Sequence, residues 1–300
     1  MLVRSPWSRP HPPHRLVNGL RPLSAWGLAA SVLTLLAPVA RALEVQVNPT
    51  SPQLGDTITV WIQTEQPGST PTVTLNGDAY PAFALQPTRY RALLPTTPLD
   101  APGRLVLRVT GDGETRNLAL NLRGRSFPTQ RLWLRGGGAN ATDTELAQVA
   151  AFKEIVTPEK LWQGAFLRPS PGRVSTIFGV RRYYNGVFAQ NYYHRGVDYA
   201  AGRGAPVVAP ADGIVRLIGR ESQGFRVHGN TVGLDHGQGV LSIFLHLDRI
   251  DVRAGDRLRA GQRLGTIGST GASTGPHLHW GLYVHGEAID PVPWRYTGLE

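Results

Sequence analysis

Gly275-Pro276-His277-Leu278-His279-Trp280-Gly281-Leu282-Tyr283-Val284 is a short apolar segment that carries two histidines two residues apart. It reads as a strand over His277–Val284. Alternate side chains of a strand share a face, so His277 and His279 project to the same side, roughly 6.5–7 Å apart. Taken alone, such a pair is often no more than the polar face of an amphipathic strand. Its weight depends on what else in the chain can meet it.

Composition narrows the possibilities. The 300 residues contain no cysteine, which excludes disulfides, thiolate metal sites and a cysteine nucleophile. Any metal must be held by His, Asp or Glu. Of nine histidines, two lie in the first fourteen residues and seven follow Tyr193, so histidine chemistry is confined to the last third. With 35 Gly and 24 Pro, turns and short strands are favoured over long helices. The net charge of +10 includes five arginines before residue 43, where no acid occurs, so the remainder carries +5. A mildly basic surface suits an anionic polymer. The aromatic-basic motifs of nucleic-acid readers are lacking, and no nucleic-acid partner is expected.

Two further segments can join the His277/His279 strand. Tyr193-His194-Arg195-Gly196-Val197-Asp198-Tyr199 sets a histidine four residues before an aspartate, an even spacing that shares one face if the segment is extended. Ile243-Phe244-Leu245-His246-Leu247 places a histidine on an apolar strand, in alternation with Ser242 and Phe244. Two His and one Asp, brought together, would supply three ligands for tetrahedral zinc with one position open to water. His228, His236 and His285 each precede a glycine and read as turn tips without a role.

The remainder falls into recognisable parts. Residues 1–42 are basic at first, then apolar over Leu23–Ala37, and end in Ala40-Arg41-Ala42, the layout of a secretory signal peptide. The chain is therefore expected to be exported, periplasmic or extracellular, with membrane attachment only if that segment stays uncleaved. Residues 43–125 hold short alternating runs such as Thr57–Gln63 and Leu105–Thr110, with turn signals at Asn76-Gly77 and Asp112-Gly113, and predict an immunoglobulin-like β-sandwich. Residues 126–165 read as a linker with a flexible Arg135-Gly136-Gly137-Gly138 stretch and one helix over Thr142–Val156, capped by Thr142 or Asp143. Residues 166–300 return to strands and turns.

The spaced motifs of that last part carry a resemblance. Phe178-Gly179-x-Arg181, His194-x-x-x-Asp198-Tyr199-Ala200-Ala201, Ala209-Pro210-Ala211-Asp212-Gly213, Asp235-His236-Gly237, His246-Leu247, Gly268-x-Thr270-Gly271 and Ser273-Thr274-Gly275-Pro276-His277-Leu278-His279 resemble, in order, the motifs of the lysostaphin/LytM-type zinc metallopeptidases. The resemblance spans roughly residues 166–293. It implies a C-terminal antiparallel-sheet metallopeptidase domain with an open groove, so that together with the N-terminal sandwich the chain is expected to be mainly β. It implies Zn2+ held by His194, Asp198 and His279. His246 and His277 become the catalytic histidines, one a general base for a zinc-activated water and the other hydrogen-bonded to the developing oxyanion or the attacking water, without assigning which is which. The implied function is a secreted zinc metalloendopeptidase that hydrolyses peptide bonds of peptidoglycan stem peptides or crosslinks in cell-wall remodelling. The alternative is a catalytically silent member of the same fold that binds wall or activates an amidase. The five intact His and Asp positions favour the enzyme. The sequence departs from the family at Phe244, where Tyr is usual, and over Arg181–Tyr193, the segment expected to rim the cleft.

Overall fold

A computed structural model describes residues 43–133 and 140–297. The expected signal segment and the Arg135-Gly136-Gly137-Gly138 stretch lie outside the described residues. Among the described residues no helix is long and apolar enough to cross a membrane.

The first part of the chain contributes eight strands: β1 (Glu44–Asn48), β2 (Thr57–Gln63), β3 (Thr72–Leu75), β4 (Asp78–Tyr80), β5 (Phe83–Gln86), β6 (Arg89–Pro95), β7 (Gly103–Gly111) and β8 (Glu114–Leu122). They form two antiparallel four-stranded sheets, ordered β1-β2-β6-β5 and β4-β3-β7-β8. Period-two alternation is visible on β7, where Leu105, Leu107 and Val109 are buried and Arg104, Val106 and Arg108 are exposed. These residues meet Ile58, Val60 and Ile62 of the other sheet in one shared core. The hairpin signals act as read: Asn76-Gly77 and Asp112-Gly113 both take left-handed backbone, as a two-residue β-turn requires.

The expected connector is partly ordered into a sheet. β9 (Thr129–Leu132) runs parallel to β11 (Arg181–Tyr184), which turns at Asn185-Gly186 into β12 (Val187–Phe188). Helix α1 spans Asp143–Lys153, ending before the expected Val156, and of the two expected caps Thr142 is the one used.

The second part is built on a ten-stranded antiparallel sheet. β10 (Arg173–Thr176), β13 (Val197–Ala200), β14 (Pro206–Val208), β15 (Gly213–Gly219), β16 (Asn230–Gly237), β17 (Val240–Ile250), β18 (Arg257–Leu258), β19 (Arg263–Ile267), β20 (His277–Val284) and β21 (Glu287–Ile289) compose it. The principal order is β10-β13-β20-β17-β16-β15-β18, with β14 and β19 paired beside β17 and β21 beside β20. A four-residue helix, α2 (Pro291–Trp294), follows. One face of the sheet is packed with Tyr199, Phe244, Leu278, Trp280 and Leu282. The opposite face of the same strands carries the histidines.

The sandwich is seated firmly on this sheet. Leu93 of β6 belongs to the second core. Arg91, fully buried, donates to Gln238 and stacks on Trp162 at 4.8 Å. Trp294 donates its indole N–H to Thr57 at 3.1 Å, and Arg125 pairs with Asp290 at 2.8 Å. Burying a charged guanidinium demands such fixed partners, so this contact is a built junction rather than an incidental touch.

Candidate active site

The register of β13 against β20 places Asp198 opposite His279 and Ala200 opposite His277. Opposed residues of an antiparallel pair share a face, so both histidines and the aspartate emerge on one side of the sheet. His194 joins by a different route from the one its spacing suggests. It precedes β13, and an extended four-residue run would carry it about 13 Å from Asp198 along the chain. A bend at Gly196 instead returns it, with Nε2 3.0 Å from Asp198 Oδ1. Gly196 has a steric reason to be glycine: a Cβ there would lie 2.3 Å from the Trp280 carbonyl oxygen and 2.9 Å from His279 Nε2.

His194 Nε2, Asp198 Oδ1 and His279 Nδ1 converge: the three mutual separations are 3.0, 2.9 and 3.0 Å. All the candidate ligand atoms of this buried group lie within 4.8 Å of one another. The donor set tests itself. His194 Nδ1 donates to the Ile177 carbonyl at 2.8 Å, so neutral His194 presents a lone pair at Nε2. One proton on His279 Nδ1 can serve only one of its two neighbours. A divalent cation serves all three, and tetrahedral zinc with N/O ligands at about 2.0–2.2 Å sets them about 3.3 Å apart. The residues therefore fit zinc. Burial alone would raise the Asp198 carboxyl, but the His194 and His279 ring nitrogens that face it outweigh burial and hold it well below the usual carboxylate range. His279 is pushed down to about 4, by burial first, so its imidazole stays neutral and able to ligate.

His246 and His277 stand beside this trio. Their ring centroids are 4.7 Å apart, and His246 lies 6.5 Å from His279. His277 Nε2 is 4.0 Å from Asp198 Oδ1. Each ring is oriented by a backbone carbonyl: His246 Nδ1 donates to Thr270 at 2.9 Å and His277 Nδ1 to Gly275 at 2.8 Å. In the neutral ring this leaves Nε2 as the acceptor nitrogen, the arrangement suited to taking a proton. Burial, then the neighbouring His277 and His279, push the His246 imidazole down to about 3, which keeps it neutral.

His246 reaches this face only through an irregularity. Strict alternation would put it with Ser242 and Phe244, on the core face. Between the pairs Asn230↔Leu247 and Val232↔Phe244 strand β17 carries one extra residue, and His246 has φ 63°. That β-bulge turns the side chain over to the histidine face. The sequence expectation that His246 shares a face with Ser242 and Phe244 is thus corrected, while its membership of the site stands.

Of the remaining histidines, His228 and His285 sit in turns as the sequence predicts, whereas His236 does not. His236 lies within β16, fully buried; its Nδ1 donates to the Asp212 carbonyl at 2.8 Å and its Nε2 accepts from Ser242 Oγ at 2.8 Å. Ser242 Oγ in turn accepts from the Trp280 indole at 3.2 Å, one residue from His279. Burial pushes His236 down to about 4, keeping it neutral as this relay requires. Ser242→Ala is expected to leave two buried polar groups unpaired and to cost about 2 kcal/mol. The readout is a lower urea midpoint with zinc content unchanged. His228 is held by Glu145, and His285 packs against Tyr80 and Phe83.

For Arg181 the sequence reading leaves open orienting substrate or bracing the fold, and its guanidinium donates to the Gln190 carbonyl at 2.5 Å and covers Phe188, bracing the hairpin. The neighbouring Arg182, which it passed over, is held by Gln130 at 3.1 Å and by the Tyr192 hydroxyl at 2.9 Å. The carbonyl anchors Ile177, Thr270 and Gly275 were equally hidden, because a backbone acceptor leaves no signature in residue type.

Comparison with known proteins bears on this geometry. The Peptidase family M23 matches residues 192–291. Peptidoglycan DD-endopeptidase ShyC of Vibrio cholerae is 42% identical over 130 residues, 42% of this chain and 29% of that protein. DD-carboxypeptidase/endopeptidase Mpg of Neisseria meningitidis is 38% identical over 120 residues, 40% of this chain and 26% of that protein. The chain thus spans less than a third of the length of these curated relatives. A solved M23 peptidase structure from Pseudomonas aeruginosa is 27% identical, with a TM-score of 0.62 over 81% of this chain and 95% of that one. That likeness takes in the sandwich as well as the sheet.

Proposed function

We propose that this chain, whose residues 192–291 match peptidase family M23, is an exported zinc metalloendopeptidase that hydrolyses peptide bonds in peptidoglycan. The observation that carries the reading is the convergence of His194 Nε2, Asp198 Oδ1 and His279 Nδ1 beside the rings of His246 and His277, whose Nδ1 atoms face backbone carbonyls. Three ligands leave a fourth position open, the catalytic rather than the structural form of a zinc site.

A bound zinc ion supplies acidification of a water and polarisation of the scissile carbonyl. The chain supplies the rest. His194, Asp198 and His279 would hold the metal. One of His246 and His277 would accept and return the proton and the other would hydrogen-bond the developing oxyanion or the attacking water, each ring oriented by its carbonyl partner. His277, with its side chain 17% exposed, is the one of the two nearer to solvent and to an entering peptide. Names of relatives that act on peptidoglycan support the substrate class, and the basic balance of the chain suits an anionic wall polymer. Export follows from the signal-like residues 1–42 together with an extracytoplasmic substrate. The sandwich, with orders β1-β2-β6-β5 and β4-β3-β7-β8, supports an immunoglobulin-like reading. Its buried junction with the sheet supports the role of a rigid spacer. We read residues 126–165 as the bridge between the two domains.

The test is digestion of defined cross-linked and uncross-linked muropeptides, with products identified by mass. Cleavage of a peptide bond that is abolished by chelation and restored by zinc is expected. Intact muropeptides from zinc-loaded protein would leave the silent, wall-binding alternative.

A further inference from the structure

Helix α1 lies outside the region matched by the peptidase family, yet its first turn is tied to the catalytic face. Glu145 is the third helical residue of a capping box: its backbone N–H donates to Thr142 Oγ1 at 3.1 Å, and Thr142 N–H reaches its carboxylate at 3.4 Å. A capping glutamate needs no burial to do this. Glu145 is nevertheless fully buried. Its carboxylate also accepts from the backbone N–H groups of Arg226 (3.0 Å), Val227 (3.1 Å) and His228 (2.7 Å), and from His228 Nδ1 at 2.6 Å. Burial alone would raise this carboxyl; the donors of His228 and Val227 bring it below the usual range. A buried carboxylate saturated with N–H donors is a rigid clasp, because losing any donor exposes uncompensated charge.

The segment it clasps contacts both supports of His246. The His228 carbonyl accepts the His246 backbone N–H at 3.0 Å, at the bulge where φ is 63°. Gly229 is pressed against Thr270, where a Cβ would lie 2.5 Å from the Thr270 carbonyl carbon and oxygen. The Thr270 carbonyl is the acceptor for His246 Nδ1. Val227 O accepts from Ala272 N at 2.9 Å and Asn230 N donates to Thr270 Oγ1 at 2.9 Å, closing the two loops on each other.

We propose that Glu145 is a positioning residue for His246: by holding residues 226–228 it fixes the carbonyl that maintains the bulge and the loop that orients the ring, so helix α1 is a working part of the catalytic site. The role rests on the peptidase reading above, with His246 as a proton-transfer group. A left-handed non-glycine residue on a bulge persists only while its surroundings hold it. Displacement of a catalytic group by about 1 Å costs up to about 100-fold in rate. Glu145→Gln keeps the volume but sets an amide NH2 against N–H donors, which loosens the clasp.

The test uses the full chain. Glu145→Gln is expected to keep about one zinc per chain and an unchanged KM, with kcat lowered about 10- to 100-fold. Glu145→Asp is expected to recover part of the loss, and Glu154→Gln, exposed at the end of the same helix, to match the unsubstituted chain. Hydrogen exchange supplies a readout independent of catalysis. In Glu145→Gln the His246 amide should exchange at least about 10-fold faster while Ile243 and Phe244 keep their protection. Unchanged exchange at His246 with unchanged kcat overturns the proposal. So does loss of protection across all of β16, β17 and β20 together, since that marks a general stability role. If the unsubstituted chain cleaves no peptide, the peptidase reading fails, and faster local exchange at His246 still reports the clasp.

Discussion

Replacing His279 with Ala is expected to leave a chain that purifies with less than about a tenth of an equivalent of zinc and cleaves no muropeptide. The reason is geometric. His279 Nδ1 is 2.9 Å from Asp198 Oδ1 and 3.0 Å from His194 Nε2, so it closes the triangle of ligand atoms. Without it two ligands remain, and two do not hold zinc in competition with buffer. Loss of a supporting partner alone costs about 10- to 100-fold in affinity, and loss of a ligand costs more. The fold should survive, because His279 projects from the face opposite Leu278 and Trp280, and its removal opens no void in that core. Metal analysis after dialysis, with circular dichroism as the control, reads both quantities. A folded His279→Ala chain that retains a full equivalent of zinc would move the metal to another set of residues.

His246→Ala should give the complementary outcome: zinc retained at about one per chain, and kcat lowered by about 10²–10⁴. His246 Nδ1 is committed to the Thr270 carbonyl and its ring stands 6.5 Å from that of His279, beside the ligand triangle rather than in it. Burial first, then the charges of His277 and His279, push its imidazole down to about 3, so it is unprotonated at neutral pH and ready to accept. Because the folded value lies below the ordinary one near 6.5, neutral His246 favours the folded state fully above pH 6.5, and this contribution is lost as pH falls toward 3. Stability should therefore decline on the acid side before His246 itself takes up a proton in the folded chain. Steady-state kinetics on the zinc-loaded variant decides the role of His246. Parallel loss of metal and activity would make His246 a ligand; undiminished kcat would remove it from the chemistry.

Much of the site was legible before any coordinates. The alternation of Leu278, Trp280 and Leu282 against His277 and His279 already separates a core face from a polar one, and β20 shows that separation. The capping of α1 by Thr142 was readable because capping is local. The strands of the sandwich were readable from alternation and from Asn-Gly and Asp-Gly turns. What failed to show was non-local. β9 has no apolar pattern of its own and becomes a strand only by pairing with β11, some fifty residues on. His236 was read as a turn because glycine follows it, yet strand pairing and the Asp212 and Ser242 partners bury it.

Residue type and spacing alone determined that this chain could build only a His/Asp metal site, that its histidine chemistry lay in the last third, and that His277 and His279 would share a face, because composition and strand periodicity are local properties. Tertiary structure alone decided how the rest arrives. The bend at Gly196 returns His194 to Asp198, the bulge in β17 turns His246 away from the core, and Glu145, a hundred residues upstream, clasps the loop beneath it. Each of these depends on backbone hydrogen bonds and close approaches between distant segments, which periodicity along one segment does not encode.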